Sequence, residues 1–470
     1  MSKITNFSAF PDTIGVVQEN GIEIIITSPH TEAIKKYLTA DNKTASYQIQ
    51  RLEKQRTWTE EAETQRIADL AEFREDLIRE YFAELPDGSL SVPIGFWYLC
   101  SEIDGMLNTE IPTNDLPVWL RDYQREDVKA LLQYKRVLFC LATGLGKTAC
   151  AIAIVLQSIK VKKRTCMIVP TIDLVAQTIA SAKHFGIENV SGAGGDYQYK
   201  LGCDLLVTTV QSAYKYIDVF DVVIVDESQH CSAITWFNLL ASALKASHVY
   251  GLSATPYRTD GLDLGIFAWC GPMVIERSAK WGIENGWLAE PKIFMVKITD
   301  LPFIPSRKIG AIAYGILATH PKVQQFLLEQ IQKALSVGRT VMVIFNTVKA
   351  GKAFKIYCTG KLDFEVAHAG YRVPFIQFKK GETNLLVGNV KLFGEGVDVP
   401  RVSCIATLCN NSSEITTRQV LGRAMRISKG KKDAIVLDVG FDSYEPYVKS
   451  YKSRSKIYKT IVDNVKEIIK

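Results

Sequence analysis

The sequence predicts an α/β protein built mainly on parallel sheets. Short, mainly apolar runs that do not alternate with polar residues are separated by segments of helical periodicity, first at residues 164–170, 204–209, 221–227 and 249–253. Such runs are typical of strands buried on both faces, as in a parallel sheet covered by helices. A second series of strands is predicted at residues 293–298, 340–345, 364–368, 385–387, 402–408 and 434–439. Two such sheets in tandem are therefore expected.

Length and composition restrict the class of protein. A chain of 470 residues is too long for one hydrophobic core, so we predict three domains at residues 1–112, 113–285 and 286–470. The net charge of +6 is compatible with a nucleic-acid partner but does not require one. The ten cysteines are scattered without metal-ligand spacing. Since neither a signal peptide nor a membrane-spanning run is recognisable, we expect a cytoplasmic protein with no membrane partner.

Residues 1–112 are predicted to form a small α+β domain. Residues 22–26 and 92–99 are typical of strands, and the charged segment 42–85 has helical periodicity. Arg51, Lys54, Arg56 and Trp58 could contact nucleic acid, or they could simply belong to a solvated helix face. A linker is expected near Pro112.

A glycine-containing loop follows the apolar run at residues 137–141. Its sequence is Leu141, Ala142, Thr143, Gly144, Leu145, Gly146, Lys147, Thr148, and a small-residue helical segment comes next. Strand, loop and helix form the context of a phosphate-binding loop, in which backbone N–H groups and a lysine bind a triphosphate. The Thr148 hydroxyl is a candidate Mg²⁺ ligand. Leu141 departs from the common pattern, which has glycine there, and a helix-capping loop is the structural alternative.

Two adjacent carboxylates, Asp226 and Glu227, end the apolar run 222–225. A metal-bound triphosphate needs such a pair: Asp226 would hold Mg²⁺, and Glu227 would orient the attacking water and accept its proton. Ser253 and Thr255 follow the next strand, where their hydroxyls could bond to this region and respond to the state of the phosphates. An ordinary acidic strand terminus is the alternative.

Polar residues also follow other predicted strands, at the edge where parallel sheets bind ligands. Their hydroxyl and amide groups suit phosphodiester oxygens, although isolated residues of this kind more often cap helices and turns. These candidates for nucleic-acid binding are Pro170, Thr171, Thr208, Thr209, Gln211, Asn346, Thr347, His368 and Gly370. Upstream of the glycine loop, Gln124 is a candidate for reading an adenine edge, because an amide both donates and accepts.

Three residues near the end of the second series share a helical face. Gln419, Arg423 and Arg426 occur at spacings of four and three residues. Two guanidiniums at one place are costly in a core but suit a triphosphate, so we predict arginine fingers supplied by the second domain. A salt-bridged surface helix is the alternative.

Taken in order, these motifs resemble those of superfamily 2 helicases and translocases over about residues 120–428. The resemblance implies two RecA-like domains that bind ATP and Mg²⁺, with Gln124 reading adenine and Ser253 and Thr255 coupling hydrolysis to motion. It also implies that Gly396 and Asp398 contact both nucleotide and nucleic acid. Asn389 departs from the family, which usually has a Ser or Thr phosphate ligand there.

The resemblance implies an ATP-dependent helicase or translocase that acts as a monomeric motor on duplex, forked or four-way junction DNA. The pattern of residues 253–261 looks like the duplex-tracking branch, and the compact chain looks most like the phage branch-migration (UvsW- and RecG-like) group. An RNA helicase, a restriction-type translocase subunit and an ATP-gated nucleic-acid clamp remain alternatives. Because residues 401–418 leave no room for a long hairpin, we expect any DNA wedge or junction reader within residues 1–112.

Overall fold

The computed structural model describes residues 10, 12–18, 23–53, 60–76, 78–103, 110–258, 260–306, 310–390, 392, 399–408, 414–428, 431 and 433–470. The chain divides into two compact units. The first comprises Met1–Leu141 and Gly146–Glu276, and the second comprises Ala142–Leu145 and Arg277–Lys470.

The N-terminal module opens the first unit. Its elements are β1 (Ile14–Val17), β2 (Glu23–Thr27), α1 (Thr31–Tyr37), β3 (Thr39–Asp41), α2 (Lys43–Glu53), α3 (Glu60–Glu75), β4 (Ile78–Glu80), β5 (Ala83–Glu84), β6 (Leu90–Pro93), a 3₁₀ turn (Ile94–Leu99) and β7 (Glu102–Ile103). One sheet has the order β5-β6-β2-β1-β7, antiparallel except for the β1–β7 pair. β3 and β4 pair separately and antiparallel.

Two secondary-structure expectations for this module are wrong. The segment 42–85 contains helices α2 and α3, but its last part forms β4 and β5. The segment 92–99 is a strand only up to Pro93 and then turns into the 3₁₀ segment. A proline lacks the N–H that a sheet ladder needs, so the strand ends where Pro93 stands.

The rest of the first unit is a seven-stranded parallel sheet with helices. Its elements are α4 (Asp122–Leu131), β8 (Arg136–Leu141), α5 (Lys147–Lys160), β9 (Thr165–Val169), α6 (Ile172–His184), β10 (Val190–Ala193), β11 (Leu205–Thr209), α7 (Val210–Ala213), β12 (Val222–Asp226), α8 (Ile234–Ala241), β13 (His248–Ser253), α9 (Leu264–Cys270) and β14 (Met273–Arg277). The strand order is β10-β11-β9-β12-β13-β8-β14. Every residue of β8, β9, β11, β12 and β13 is buried, which confirms the prediction from the apolar runs.

The N-terminal module and this sheet share one hydrophobic core. Trp97 of the 3₁₀ turn is buried and donates its indole N–H to the carbonyl oxygen of Arg136 in β8, at 3.1 Å. Gly95 packs so closely on α9 that a Cβ there would lie 2.1 Å from the Phe267 carbonyl oxygen. The module is therefore packed into the first unit through this shared core.

The second unit contains the other seven-stranded parallel sheet. Its elements are α10 (Ala279–Glu284), β15 (Pro291–Ile298), α11 (Gly310–Ala318), α12 (Pro321–Ser336), β16 (Val341–Phe345), α13 (Val348–Tyr357), β17 (Val366–Ala367), α14 (Val373–Lys380), β18 (Leu385–Asn389), β19 (Cys404–Thr407), α15 (Glu414–Met425), β20 (Ala434–Phe441), α16 (Glu445–Lys459) and β21 (Val465–Ile469). The strand order is β17-β18-β16-β19-β20-β15-β21. The tandem α/β architecture is confirmed. Within the described ranges, no helix is long and apolar enough to cross a membrane.

Candidate nucleotide and nucleic-acid site

The glycines of the phosphate loop adopt backbone conformations that other residues rarely reach. Gly144 has φ of 96° and Gly146 has φ of 85°. Gly146 directly precedes α5, whose first residue is Lys147. A Cβ on Gly146 would lie 2.3 Å from Gln124 Nε2, and this close approach together with the positive φ favours glycine there. The loop therefore delivers Lys147 and Thr148 to the first turn of a helix, whose free N–H groups favour anions.

Gln124 lies beside this loop. It belongs to the first turn of α4, where its side-chain Oε1 accepts a hydrogen bond from the backbone N–H of Arg121, at 3.0 Å. Only 4% of Gln124 is exposed. The structure thus holds its amide next to Gly146, and the reading of adenine by this amide stays a prediction.

The two predicted carboxylates lie at the end of β12. Asp226 is the last residue of the strand, and Glu227 follows with φ of 51°, in the left-handed region. Left-handed backbone is strained for a residue with a long side chain and is often found at functional sites. The turn is held by a hydrogen bond from the Glu227 backbone N–H to Asp226 Oδ1, at 3.0 Å. Lys147 Nζ lies 3.7 Å from Glu227 Oε1, so the loop lysine and this carboxylate face each other.

Gln229 connects Glu227 to the predicted coupling residues. Its Nε2 donates to Glu227 Oε2 at 3.0 Å, and its Oε1 accepts from the Ser253 hydroxyl at 2.6 Å. The Ser253 oxygen in turn accepts the backbone N–H of Thr255 at 2.9 Å. Ser253 and Gln229 are both buried. Gln229 is a site residue that the sequence patterns do not indicate, apart from its place two residues after Glu227.

The oxygen ligands available here fit Mg²⁺. Asp226 and the Thr148 hydroxyl are the candidate ligands, and Asp226 is 8% exposed. No group of three or more His, Cys, Asp or Glu side chains suited to a metal occurs among the residues that the structure describes. Magnesium in nucleotide sites usually takes one or two protein oxygens and completes its coordination with phosphates and water, so this small ligand set is sufficient.

Several predicted nucleic-acid residues use their hydroxyls within the protein. Thr171 Oγ1 accepts the Leu174 N–H at 3.4 Å and caps α6, and Thr347 Oγ1 caps α13 in the same manner. Thr208 is fully buried, and its hydroxyl donates to the Thr209 carbonyl oxygen. Direct contact of the Thr208 hydroxyl with a backbone phosphate is therefore not supported by its burial.

The remaining candidates lie at strand ends or shortly after them, and their exposures differ. Gln211 and Gly370 are exposed, Pro170, Asn346 and His368 are partly exposed, and Thr209 and Asn389 are buried. Asn389 ends β18, and the Asn346 backbone N–H donates to the Tyr314 hydroxyl at 2.9 Å. Gly396 and Asp398 lie outside the described residues.

The predicted arginine motif lies at the end of α15. Gln419 and Arg423 are in the helix, but Arg426 follows its last residue, Met425, so the expectation of one continuous helical face is wrong for Arg426. Lys431 Nζ donates to the Arg426 carbonyl oxygen at 2.7 Å and also to that of Ala424, which satisfies carbonyls that a helix end leaves open. Arg423 is 5% exposed, and burial lowers the pKa of Arg426 to about 10.

Comparisons with known proteins agree with these motifs. Residues 118–258 match the family described as "Type III restriction enzyme, res subunit". The chain is 27% identical over 370 residues to the DNA 3'-5' translocase XPB2 of Sulfurisphaera tokodaii, covering 68% of this chain and 81% of that protein. It is 26% identical over 313 residues to the protein named "Probable helicase D10" of Escherichia phage T5, covering 63% of this chain and 66% of D10.

A solved structure supports the fold. The ATP-dependent type ISP restriction-modification enzyme LlaBIII, bound to DNA, matches with a TM-score of 0.57 and 14% identity, over 76% of this chain and 32% of that chain. At this identity the likeness shows the fold alone. The motif order, the family match and the two sequence relatives show that the chain is similar to superfamily 2 DNA helicases and translocases, and they support an ATP-dependent enzyme.

Proposed function

We propose that this chain hydrolyses ATP with Mg²⁺ and uses the energy to translocate along duplex or branched DNA. The observation that supports it most directly is the bonded set formed by Lys147, Glu227, Gln229 and Ser253, which joins the phosphate loop to the segment after β13. The relative XPB2 is named a DNA 3'-5' translocase, and this favours DNA as the polymer along which the chain moves.

In this proposal each group of the first unit has one task. Lys147 and the N–H groups at the start of α5 bind the β- and γ-phosphates, and Thr148 and Asp226 hold Mg²⁺, which neutralises phosphate charge. Glu227 orients the attacking water and accepts its proton. Gln229 fixes the Glu227 carboxylate through one oxygen, so that the other oxygen is left for Lys147 and water.

The second unit supplies positive charge to the transition state. Arg423 and Arg426 act as arginine fingers with Gln419 beside them, and such fingers raise hydrolysis by roughly 10³–10⁵. As ATP is hydrolysed and phosphate is released, the two units bind one DNA strand in turn. The candidate contacts at the strand ends, together with Gly396 and Asp398, form the proposed track. The predicted boundaries at residues 112 and 285 remain part of this proposal.

We further propose that branched DNA is the preferred substrate and that the motor acts as a monomer. The 26% identity over 313 residues to the protein of Escherichia phage T5 that is named "Probable helicase D10" agrees with a phage-type enzyme. The N-terminal module would then supply the contacts that recognise a junction.

The decisive experiment compares ATPase activity with matched single-stranded DNA, duplex DNA, four-way junction DNA and duplex RNA. Strongest stimulation by junction or duplex DNA supports the proposal. Strongest stimulation by RNA would contradict it and indicate RNA remodelling. Equal, weak stimulation by all four, without strand displacement in a single turnover, would indicate an ATP-gated clamp.

The control for this assay is Lys147→Ala. Because Lys147 is assigned to phosphate binding in this proposal and is not among the proposed DNA contacts, the variant is expected to lose ATP hydrolysis and keep DNA binding. Joint loss of both activities would indicate misfolding.

A second candidate is the translocating subunit of a restriction system, which the match of residues 118–258 to a type III restriction family favours. Such a subunit would need a nuclease partner. Cleavage of DNA by the chain together with host restriction subunits, and not by the chain alone, would support this alternative.

A further inference from the structure

The N-terminal module contacts two turns of the motor that follow the proposed catalytic groups. Arg79 of β4 donates from Nη1 to the Ser232 carbonyl oxygen at 2.9 Å. Ser232 ends the 3₁₀ turn Ser228–Ser232, which begins directly after Glu227. The Lys43 backbone N–H, at the start of α2, donates to the carbonyl oxygen of Asp260 at 2.8 Å. The module therefore bonds to the segments downstream of both Glu227 and Ser253.

The guanidinium of Arg79 is itself held in place. Its Nη2 forms an ion pair with Asp76 at 2.5 Å, and the other oxygen of Asp76 accepts from Asn42 Nδ2 at 2.7 Å. Asn42 Oδ1 accepts the backbone N–H groups of Thr44 and Ala45, each at 3.1 Å, which caps α2. Because a carboxylate holds one edge of this planar guanidinium, the group has little rotational freedom, and its other edge faces the Ser232 carbonyl.

The two motor turns are packed tightly against each other and against the module. The Ser232 hydroxyl donates to the Leu262 carbonyl oxygen at 2.5 Å. A Cβ on Gly265 would lie 2.6 Å from Ser232 Oγ, and a Cβ on Gly261 would lie 2.7 Å from the Asp41 carbonyl oxygen of β3. Since close-packed interiors transmit displacement, a shift of Ser232 must be shared by its neighbours.

Ser232 is connected to Glu227 through one short turn. The His230 N–H donates to the Glu227 carbonyl oxygen at 3.1 Å, and Gln229 Nε2 donates to its carboxylate at 3.0 Å. Glu227 has the strained left-handed backbone, which persists only where surrounding contacts maintain it. Arg79 holds the far end of that turn.

We infer that Arg79 is a positioning residue for ATP hydrolysis: through the Ser232 carbonyl, the N-terminal module keeps Glu227 in its working orientation. This inference rests on the proposed role of Glu227. Arg79 bonds to Asp76 and Ser232, and to neither Lys147 nor the phosphate loop. Its loss therefore affects the chemical step and not nucleotide binding.

The test is steady-state ATPase kinetics of the full chain with Arg79→Ala at saturating duplex DNA. Because small misplacements of a catalytic group cost rate steeply, kcat is expected to fall roughly tenfold or more while KM for ATP changes less than about twofold. Arg79→Lys, which keeps the charge but has no planar fork for both Asp76 and Ser232, is expected to have an intermediate kcat. If Arg79→Ala does not fold, the kcat of Arg79→Lys provides the test of the inference.

Arg74→Ala is the matched control, since Arg74 is 61% exposed, belongs to the same module and pairs only at 3.3 Å with the exposed Glu53. Its kcat is expected to equal that of the unaltered chain. An unchanged kcat in Arg79→Ala, a rise in KM alone, or an equal loss in Arg74→Ala would each overturn the inference.

Glu227→Gln separates this inference from the proposed function. If Glu227→Gln keeps its ATPase activity, the proposed role of Glu227 fails, and the inference fails with it. If Glu227→Gln is inactive and Arg79→Ala is normal, only the inference fails.

Discussion

At the scale of single residues, the site depends on side chains that orient one another. Glu227 has one carboxylate oxygen near Lys147 Nζ and the other bonded to Gln229 Nε2. The Ser253 hydroxyl donates to Gln229 Oε1, so the amide can present only its N–H₂ to Glu227. A carboxylate with one oxygen already bonded is held in one rotamer, and this favours catalysis by fixed geometry.

We expect Gln229→Ala to lower kcat by roughly 10- to 100-fold with a smaller change in KM, because it removes orientation of the general base and no phosphate ligand. Steady-state ATPase kinetics measure both constants. Gln325→Ala is the control, since that amide bonds to exposed Glu329 on α12. Equal kcat in both variants would show that Gln229 does not orient Glu227.

The burial of His248 predicts that the first unit becomes less stable as the pH falls. Burial, reinforced by the positive charges of Lys163, Lys135 and Arg136, lowers the pKa of His248 to about 3. In the unfolded chain a histidine has a pKa near 6.5. Between these values only the unfolded state binds the proton, so the unfolding free energy falls as pH decreases below 6.5, by about 2 kcal/mol at pH 5.

The measurement is the melting temperature of the chain between pH 8 and pH 5. His248→Gln is expected to lose less stability over this range than the unaltered chain, because its side chain does not titrate. The exposed His184→Gln serves as the control and should keep the full loss. Identical pH profiles for all three proteins would rule out His248 as the source.

The residue scale also shows what sequence patterns could and could not predict. Lys147, Asp226 and Glu227 come after the apolar runs 137–141 and 222–225, and the end of such a run is visible in the sequence. Gln229 and Arg79 carry no such signal, because their significance arises from contacts with segments distant along the chain.

At the scale of elements, the basic and aromatic helix α16 mainly stabilises the fold. From its sequence alone, the segment could either follow a phosphate backbone or form a terminal helix whose lysine and arginine stems lie on apolar surface while their charged ends reach solvent. In the structure Arg454 is buried and forms a two-bond ion pair with Asp438 of β20, each bond 2.7 Å long. Tyr458 donates its hydroxyl to the same carboxylate at 2.8 Å. This side of α16 therefore faces the sheet and not a ligand.

Arg454→Ala is expected to destabilise the second unit by about 3 to 5 kcal/mol, because Asp438 would remain as an uncompensated buried charge. Urea denaturation followed by a probe in this unit measures the loss. The exposed Lys456→Ala on the same helix should change stability by less than about 0.5 kcal/mol. A comparable loss in both variants would contradict a specific buried pair.

A strand or helix can be predicted where its own residues have a clear apolar pattern. The buried strand β16 is apolar throughout and β12 is apolar up to Asp226, and both follow from the sequence pattern. β10, β14 and β21 were missed, because β10 contains small and polar residues and β14 and β21 are only partly buried with charged positions. Edge strands of this kind are defined by their neighbour in the sheet, and periodicity does not reveal them.

At the scale of the whole molecule, the two compact units differ from the three predicted domains in one respect. The N-terminal module contributes Tyr81, Phe96 and Trp97 to a core that also contains Phe237 and Trp269 of the motor. Removing residues 1–112 would expose this core, so a deletion could not separate junction recognition from folding. Single substitutions are therefore the better probe of the module.

The shared core predicts that the N-terminal module and the first motor sheet unfold together. Trp97→Ala removes a buried indole and its bond to Arg136, a loss of about 3 to 5 kcal/mol for a core tryptophan. Hydrogen exchange followed by mass spectrometry should then show faster exchange in β2, β8 and α9 alike, with β16 and β20 of the second unit unchanged. Trp287→Phe, a conservative aromatic change in the second unit, provides the control. Faster exchange confined to the module would show that it is an independent domain, because a core that is shared cannot lose stability on one side only.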